Sequence, residues 1–189
     1  MKKLLYLVFA IFVVAFISCG QKSNKQQVTT HASVHKIQDT FFGLKLGETT
    51  LEMARNTLYD NGYKGEISHG DTGDVFLQVY GPVIFGKVKW EEATFIFASN
   101  NIFKGVLFQI FQDSEHYTEE QKEEIFSNLH EQLAKKYDMI YYPADSTSGE
   151  CYRATQPNYE MDLVNDNGTI TLGYGINPEL VDKENNGGL

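Results

Sequence analysis

The stretch IFKGVLFQIF, residues 102–111, carries apolar side chains on both sides of an extended chain. Side chains alternate between the two faces of a strand. One parity holds Ile102, Val106, Phe108 and Ile110, with Lys104; the other holds Phe103, Leu107 and Phe111, with Gly105 and Gln109. Two helices can cover only one face of such a sheet, and the set containing Phe108 is expected beneath them. The set Phe103, Leu107 and Phe111 is then a candidate partner surface, because exposed apolar patches mark binding sites. The alternative is that a loop such as 138–149 closes over it, and the residues alone leave both readings open.

Working outward, Phe85–Ala98 reads as a strand that forms a hairpin with 102–111 across Ser99-Asn100-Asn101. Its apolar phase switches at Glu91-Glu92, which predicts a bulge or bend. Tyr63–His69 and Val75–Tyr80 read as strands around the turn signal Gly70–Gly73, and Gly81-Pro82 breaks the chain after them. Ahead of them, Thr49 and Glu52 have capping-box spacing. Leu51, Ala54 and Leu58 keep helical period, and Asn61-Gly62 is a stop signal, so a helix is expected over about 50–61. A second capping box, Thr118 to Gln121, opens a helix over about 119–137 whose inner face holds Ile125, Phe126, Leu129, Leu133 and Tyr137. Residues 138–148 are irregular. Strands are expected at 150–155, 159–164 and 169–176, the last two joined at Asn165–Gly168. Hairpin signals dominate. The order helix, strands, helix, strands therefore predicts an α+β two-layer sandwich, with two helices on one face of a mainly antiparallel sheet. The two halves suggest a degenerate duplication, without a residue-level repeat to support it.

The folded part is expected over 41–176. Residues 177–189 are polar and read as a frayed tail. Residues 20–40 are rich in Gln, Ser, Thr and Lys and read as a flexible tether. At the start, Lys2 and Lys3 precede an apolar run of 14 residues, Leu4–Ile17, and then Ser18 and Cys19. That is the layout of a secretory signal, and it is short of the roughly 20 apolar residues a spanning helix needs. Removing residues 1–18 takes the net charge from −9 to −11, since Lys2 and Lys3 are lost. So acidic a chain is repelled by nucleic acid and by anionic lipid. The chain has two cysteines, Cys19 and Cys151, and if Cys19 is modified Cys151 has no intramolecular disulfide partner; stability then comes from a core, for which the chain has 13 Phe, 11 Tyr and one Trp, with only Tyr6, Phe9, Phe12 and Phe16 in the leading segment.

Few side chains gather into catalytic patterns. Cys151 would need a base and an orienting group to act as a nucleophile, and it reads as a small apolar strand residue. His31 and His35 have helical metal spacing but lie in the tether. Asn165–Gly168 fails as a calcium loop, because Leu163 and Tyr174 stand where Asp and Glu are required. Glu119, Glu120, Glu123 and Glu124 read as a solvated helix face. His69, Asp71 and Asp74 are candidates for an acid–base or metal site and equally serve as turn residues. The sequence has no phosphate-binding glycine loop and no Gly-x-Ser-x-Gly, and no cofactor is expected.

Phe16-Ile17-Ser18-Cys19 resembles the lipobox of bacterial lipoproteins, with Phe and Ile where Leu and a small residue are commoner. The resemblance implies cleavage before Cys19, lipid on its sulfur and permanent tethering to a membrane, because several acyl chains anchor stably. FFGLKLGETTLEMARNTLYDNGY (41–63) and LAKKYD (133–138) resemble small Bacteroidetes-type lipoproteins of unknown function. The helix-then-sheet order is similar to BamE-like and beta-lactamase-inhibitor-protein-like domains. These resemblances imply an outer-membrane lipoprotein. No acidic export signal follows Cys19, which favours the periplasmic face. The expected role is non-enzymatic binding of an envelope protein or small ligand. An inhibitor-like module acting on an envelope enzyme, or a hydrolase using His69–Asp74, are the alternatives.

Overall fold

A computed structural model describes residues 35–143 and 149–177. The expected cleavage site, Cys19, His31 and most of the tail lie outside them. Among the described residues the fold is an α+β two-layer sandwich. A two-strand hairpin, β1 (Thr40–Phe41) and β2 (Leu44–Lys45), precedes helix α1 (Leu51–Asp60). Four strands come next: β3 (Gly65–His69), β4 (Val75–Phe85), β5 (Val88–Phe97) and β6 (Phe103–Ile110). Helix α2 (Glu119–Ala134) opens a second half with β7 (Ile140–Tyr142), β8 (Glu150–Thr155), β9 (Tyr159–Asp166) and β10 (Thr169–Ile176). The large sheet runs β3-β4-β5-β6-β10-β9-β8-β7, with every neighbouring pair antiparallel. Each half is thus a helix followed by a four-strand meander, and the final strands β6 and β10 pair at the centre, Leu107 opposite Gly173.

The helices start where the caps dictate. Thr118 accepts from the Gln121 amide, and the Gln121 side chain accepts from the Thr118 amide at 2.9 Å, a complete capping box. At α1 the cap is Thr50, not Thr49. Thr50 accepts from the Met53 amide at 3.3 Å, whereas the buried Thr49 hydroxyl takes the Lys45 amide at 2.8 Å and so is committed to the preceding turn. Past Asn61, Gly62 sits at φ +85°, and the Tyr63 amide returns to the Leu58 carbonyl at 2.9 Å.

Both helices bury one stripe in a single cluster: Ala54 and Leu58 from α1, Phe126, Leu129 and Leu133 from α2. Against them lie Leu77, Phe95, Phe97, Val106, Phe108, Ile110, Leu163 and Leu172 from the sheet. The β1–β2 hairpin adds Phe41 and Phe42. Phe85 and Phe108 stack at 4.3 Å between ring centroids, and Phe41 lies 4.9 Å from Tyr174. Rings at such separations add about 0.5–1.5 kcal/mol per pair beyond their area.

Two bulges re-aim side chains. Between Tyr80 and Val83 β4 has two residues where β5 has only Glu91, one extra residue, so Gly81-Pro82 does not end the strand. This bulge accompanies the phase switch at Glu91-Glu92. In β6, Ile96 faces Gly105 but Phe97 faces Phe103, so Lys104 is extra. That one residue reverses the parity of Phe103, which is fully buried on the helix side beside Phe97 at 5.5 Å. Phe103 therefore does not belong to the candidate partner surface. The domain also begins earlier than 41. Ile37 is fully buried, and its amide donates to the Gln156 side chain at 2.9 Å. At the other boundary, the buried Asn177 donates its amide to the Asn158 carbonyl at 3.0 Å, so Asn177 belongs to the fold rather than to the tail.

Candidate functional site

The second face of the sheet carries no described helix. Phe76, Leu107 and Cys151 lie on it; they are buried but stand apart from the helix-side cluster. Leu107 is 4 % exposed, opposite Thr94 on β5 and Gly173 on β10. Around these sits a polar row spanning neighbouring strands. Glu92 pairs with Gln109, and Gln109 with Thr171. Thr94 donates its hydroxyl to the Glu92 carboxylate at 2.6 Å, and Gln78 lies at 3.5 Å from the same oxygen. Burial pushes the Glu92 carboxyl above the ordinary carboxylate range, and the Thr94 and Gln78 hydrogen bonds only partly oppose it. Towards β8, Arg153 holds Asp162 through two hydrogen bonds of 2.6 and 2.9 Å, with the Tyr142 ring 5.8 Å from the guanidinium. Glu160 beside them is raised, first by burial and then by the charge of Asp162.

The accessible concavity is elsewhere, at the end of the sheet where the β4 bulge leaves room beside β5. It is a cleft of about 290 Å³ lined by Pro82, Lys89, Trp90, Glu91, Phe111 and the loop Asp113–Tyr117. Glu91 organises it. One carboxylate oxygen accepts the Phe111 amide at 2.9 Å, and the other accepts the Ser114 hydroxyl at 2.5 Å. The Ser114 oxygen in turn accepts the amides of His116 and Tyr117 at 3.1 and 3.2 Å. The Tyr117 hydroxyl donates to the Lys89 carbonyl at 2.7 Å; burial, followed by the charge of Glu91, raises its pKa. The buried Lys122 ammonium pins the loop from below, donating to the Gln112 carbonyl at 2.7 Å and pairing with Glu119 at 2.5 Å. The cleft wall is therefore fixed before any ligand arrives, which lowers the ordering cost of binding.

The residues singled out in the sequence are dispersed. Phe103 is in the core, Leu107 is buried on the second face, and Phe111 is half-buried in the cleft wall, so the three form no common surface. His69 is exposed at the end of β3 and Asp71 is exposed in the turn. Asp74 is held by Lys104 at 2.7 Å and by the Thr72 hydroxyl at 3.2 Å, and no hydrogen bond joins it to His69. Cys151 faces away from His130, whose ring stacks on the adjacent Tyr152 at 3.8 Å on the helix side. Among the described residues no three His, Cys, Asp or Glu side chains gather as a metal site, and no helix is long and apolar enough to cross a membrane. Sequence reasoning missed the cleft. Its one readable signal is the broken alternation at Glu91-Glu92.

No protein-family model matches the chain, and neither a curated protein nor a solved structure matches it.

Proposed function

We propose that this chain is a lipid-tethered, non-enzymatic binding domain of the bacterial envelope, anchored through Cys19 on the periplasmic face of the outer membrane. It takes its ligand in the cleft beside Trp90. The observation that carries the binding reading is the cleft loop. Its backbone is pinned by Glu91, Ser114, Tyr117 and Lys122, while the side chains of Lys89, Asp113, Glu115 and His116 make no hydrogen bond or ion pair with any described residue. Those polar side chains line the cavity and are spent on nothing in the fold. The support for a non-enzymatic role is that the one serine there, Ser114, is committed to Glu91 and to two turn amides, with no imidazole hydrogen-bonded to it.

The inhibitor-like reading draws on the second face, where the buried Glu92, Gln109 and Asp162 and the half-buried Arg153 form a polar row. Amide hydrogen exchange separates the two. The lipidated protein in its own membranes is compared with the purified protein. Added protection at 111–117 is the expected result. Protection confined to β5, β6 and β10 transfers the function to the sheet, and no difference anywhere removes the binding reading.

A further inference from the structure

We propose that the domain hangs from its lipid anchor by the end of the sheet opposite the cleft, so that the cleft opens away from the bilayer and meets a water-soluble partner rather than lipid. This inference rests on anchoring through Cys19 and on the cleft being the binding site. One turn, between β8 and β9, fixes the root of the anchor segment. The Gln156 side chain grips the incoming backbone twice: its oxygen accepts the Ile37 amide at 2.9 Å, and its nitrogen donates to the His35 carbonyl at 2.6 Å. Ile37 is fully buried, and the Lys36 ammonium lies 5.3 Å from the centroid of the Tyr159 ring. The outgoing chain is tied to the same turn. Asn177 donates its backbone amide to the Asn158 carbonyl at 3.0 Å and its side-chain nitrogen to the Gln156 carbonyl at 3.1 Å.

Strand register fixes where this turn stands. Ile176 faces Tyr159 and Gly175 faces Gly105, so the turn lies where β10 ends and β6 begins. At the other end of the same two strands Ile170 faces Ile110, and the cleft loop follows directly from Ile110. Lys89 and Trp90 stand at that end of β5 as well, since Glu92 faces Gln109. Six steps of about 3.4 Å separate Ile170 from Ile176, so the cleft lies roughly 20 Å farther along the strands than the anchor root. Sixteen residues, 19–34, connect that root to the anchor and span at most about 53–58 Å. The domain is thus confined near the bilayer, and the offset between its two ends is a large part of its reach.

The lipidated protein is purified from its membranes and reconstituted in protein-free phosphatidylcholine vesicles that carry an energy acceptor on a fraction of the headgroups. In a Cys151→Ser background, a donor dye is attached through Ser99→Cys, in the exposed turn after β5 at the anchor end, or through Glu115→Cys, exposed in the cleft loop. Transfer to the headgroups is expected to be severalfold stronger from position 99 than from position 115. Equal transfer, or more from 115, overturns the orientation. Amide exchange on the parent chain, in the same vesicles without acceptor and in detergent, needs no substitution. Residues 111–117 are expected to exchange equally fast in both, and added protection in the vesicles shows lipid reaching the cleft and overturns the proposal. No transfer from either site removes the Cys19 anchor and the orientation with it. Transfer ordered as expected, without protection of 111–117 in native membranes, leaves the anchor standing and refutes the soluble partner at the cleft.

Discussion

Leu107→Glu asks whether the second sheet face is closed in solution. Leu107 is 4 % exposed at the centre of the sheet, between Thr94, which is fully buried, and Gly173. Returning a buried leucine to water costs about 1.5–3 kcal/mol. The introduced carboxyl has no cation opposite it, since its neighbours across both strands are a threonine and a glycine. It must be desolvated or protonated, and the total penalty reaches several kcal/mol. Against a domain stability of about 5–15 kcal/mol that is a large fraction. The control is Ile84→Glu, on a side chain 57 % exposed, expected to fall within about 0.5 kcal/mol of the parent. Urea denaturation of the monomer at pH 7 measures both, with equal slopes required before midpoints are compared. A buried acid has its folded pKa raised, so the Leu107→Glu deficit should be complete at high pH and shrink as pH falls below that pKa. A Leu107→Glu protein as stable as the Ile84→Glu control would refute the closed face and return this surface to a partner.

Glu92→Gln should stabilise the domain at pH 8 and lose that gain as pH falls through the carboxylate range. The Glu92 pKa is raised in the folded state, so its ionisation opposes folding above that pKa and not below the unfolded one; thermal melts across pH check this. Asp162→Ala should cost about 3–5 kcal/mol by chemical denaturation, because it leaves the Arg153 guanidinium, 13 % exposed, without its carboxylate. Cys19→Ala should move the protein from the membrane to the soluble fraction, and mass spectrometry of the mature amino terminus should show lipid on Cys19 in the parent. Replacing His69, Asp71 and Asp74 together by Ala should leave ligand binding at the cleft unchanged, and any loss of a hydrolytic activity in that variant would revive the hydrolase reading.

What the sequence discloses depends on how local its cause is. The α2 boundary is legible because Thr118 and Gln121 form a contact three residues apart, and the antiparallel sheet is legible from turns such as Asn167-Gly168, both at positive φ. Thr49 and Thr50 are both chemically able to cap α1, and the choice is made by the Lys45 amide, a partner outside the helix. β7 is three residues long at a sheet edge, too short for alternation to register. Alternation puts Phe103 on the wrong face because parity cannot survive an extra residue, and the bulge at Lys104 has no signature beyond a lysine in an apolar run. Ile37 is one of a few scattered apolar residues in a polar segment, and only its fit against the domain draws it in. The cleft is illegible for the same reason on a larger scale: Pro82, Lys89, Phe111 and His116 meet only after β4, β5 and β6 have paired.

Glu91 and Glu92 show how one dipeptide serves both surfaces of this fold. The bulge opposite them in β4 breaks the alternation of β5, so Glu91 turns to the cleft loop while Glu92 faces the closed side of the sheet. Glu91 meets an amide and a hydroxyl that both donate to it, and through them it sets the shape of a loop that contacts solvent. Glu92 meets only a neutral hydroxyl and a distant amide, and its carboxyl is raised by burial. An apolar residue at 92 would pack on a sheet face without that cost. Sequences that specify one fold avoid such conflicts except where a site requires them. The strained carboxyl of Glu92 therefore belongs to the closed face of the sheet, while Glu91, one residue away, serves the cleft loop across the bulge.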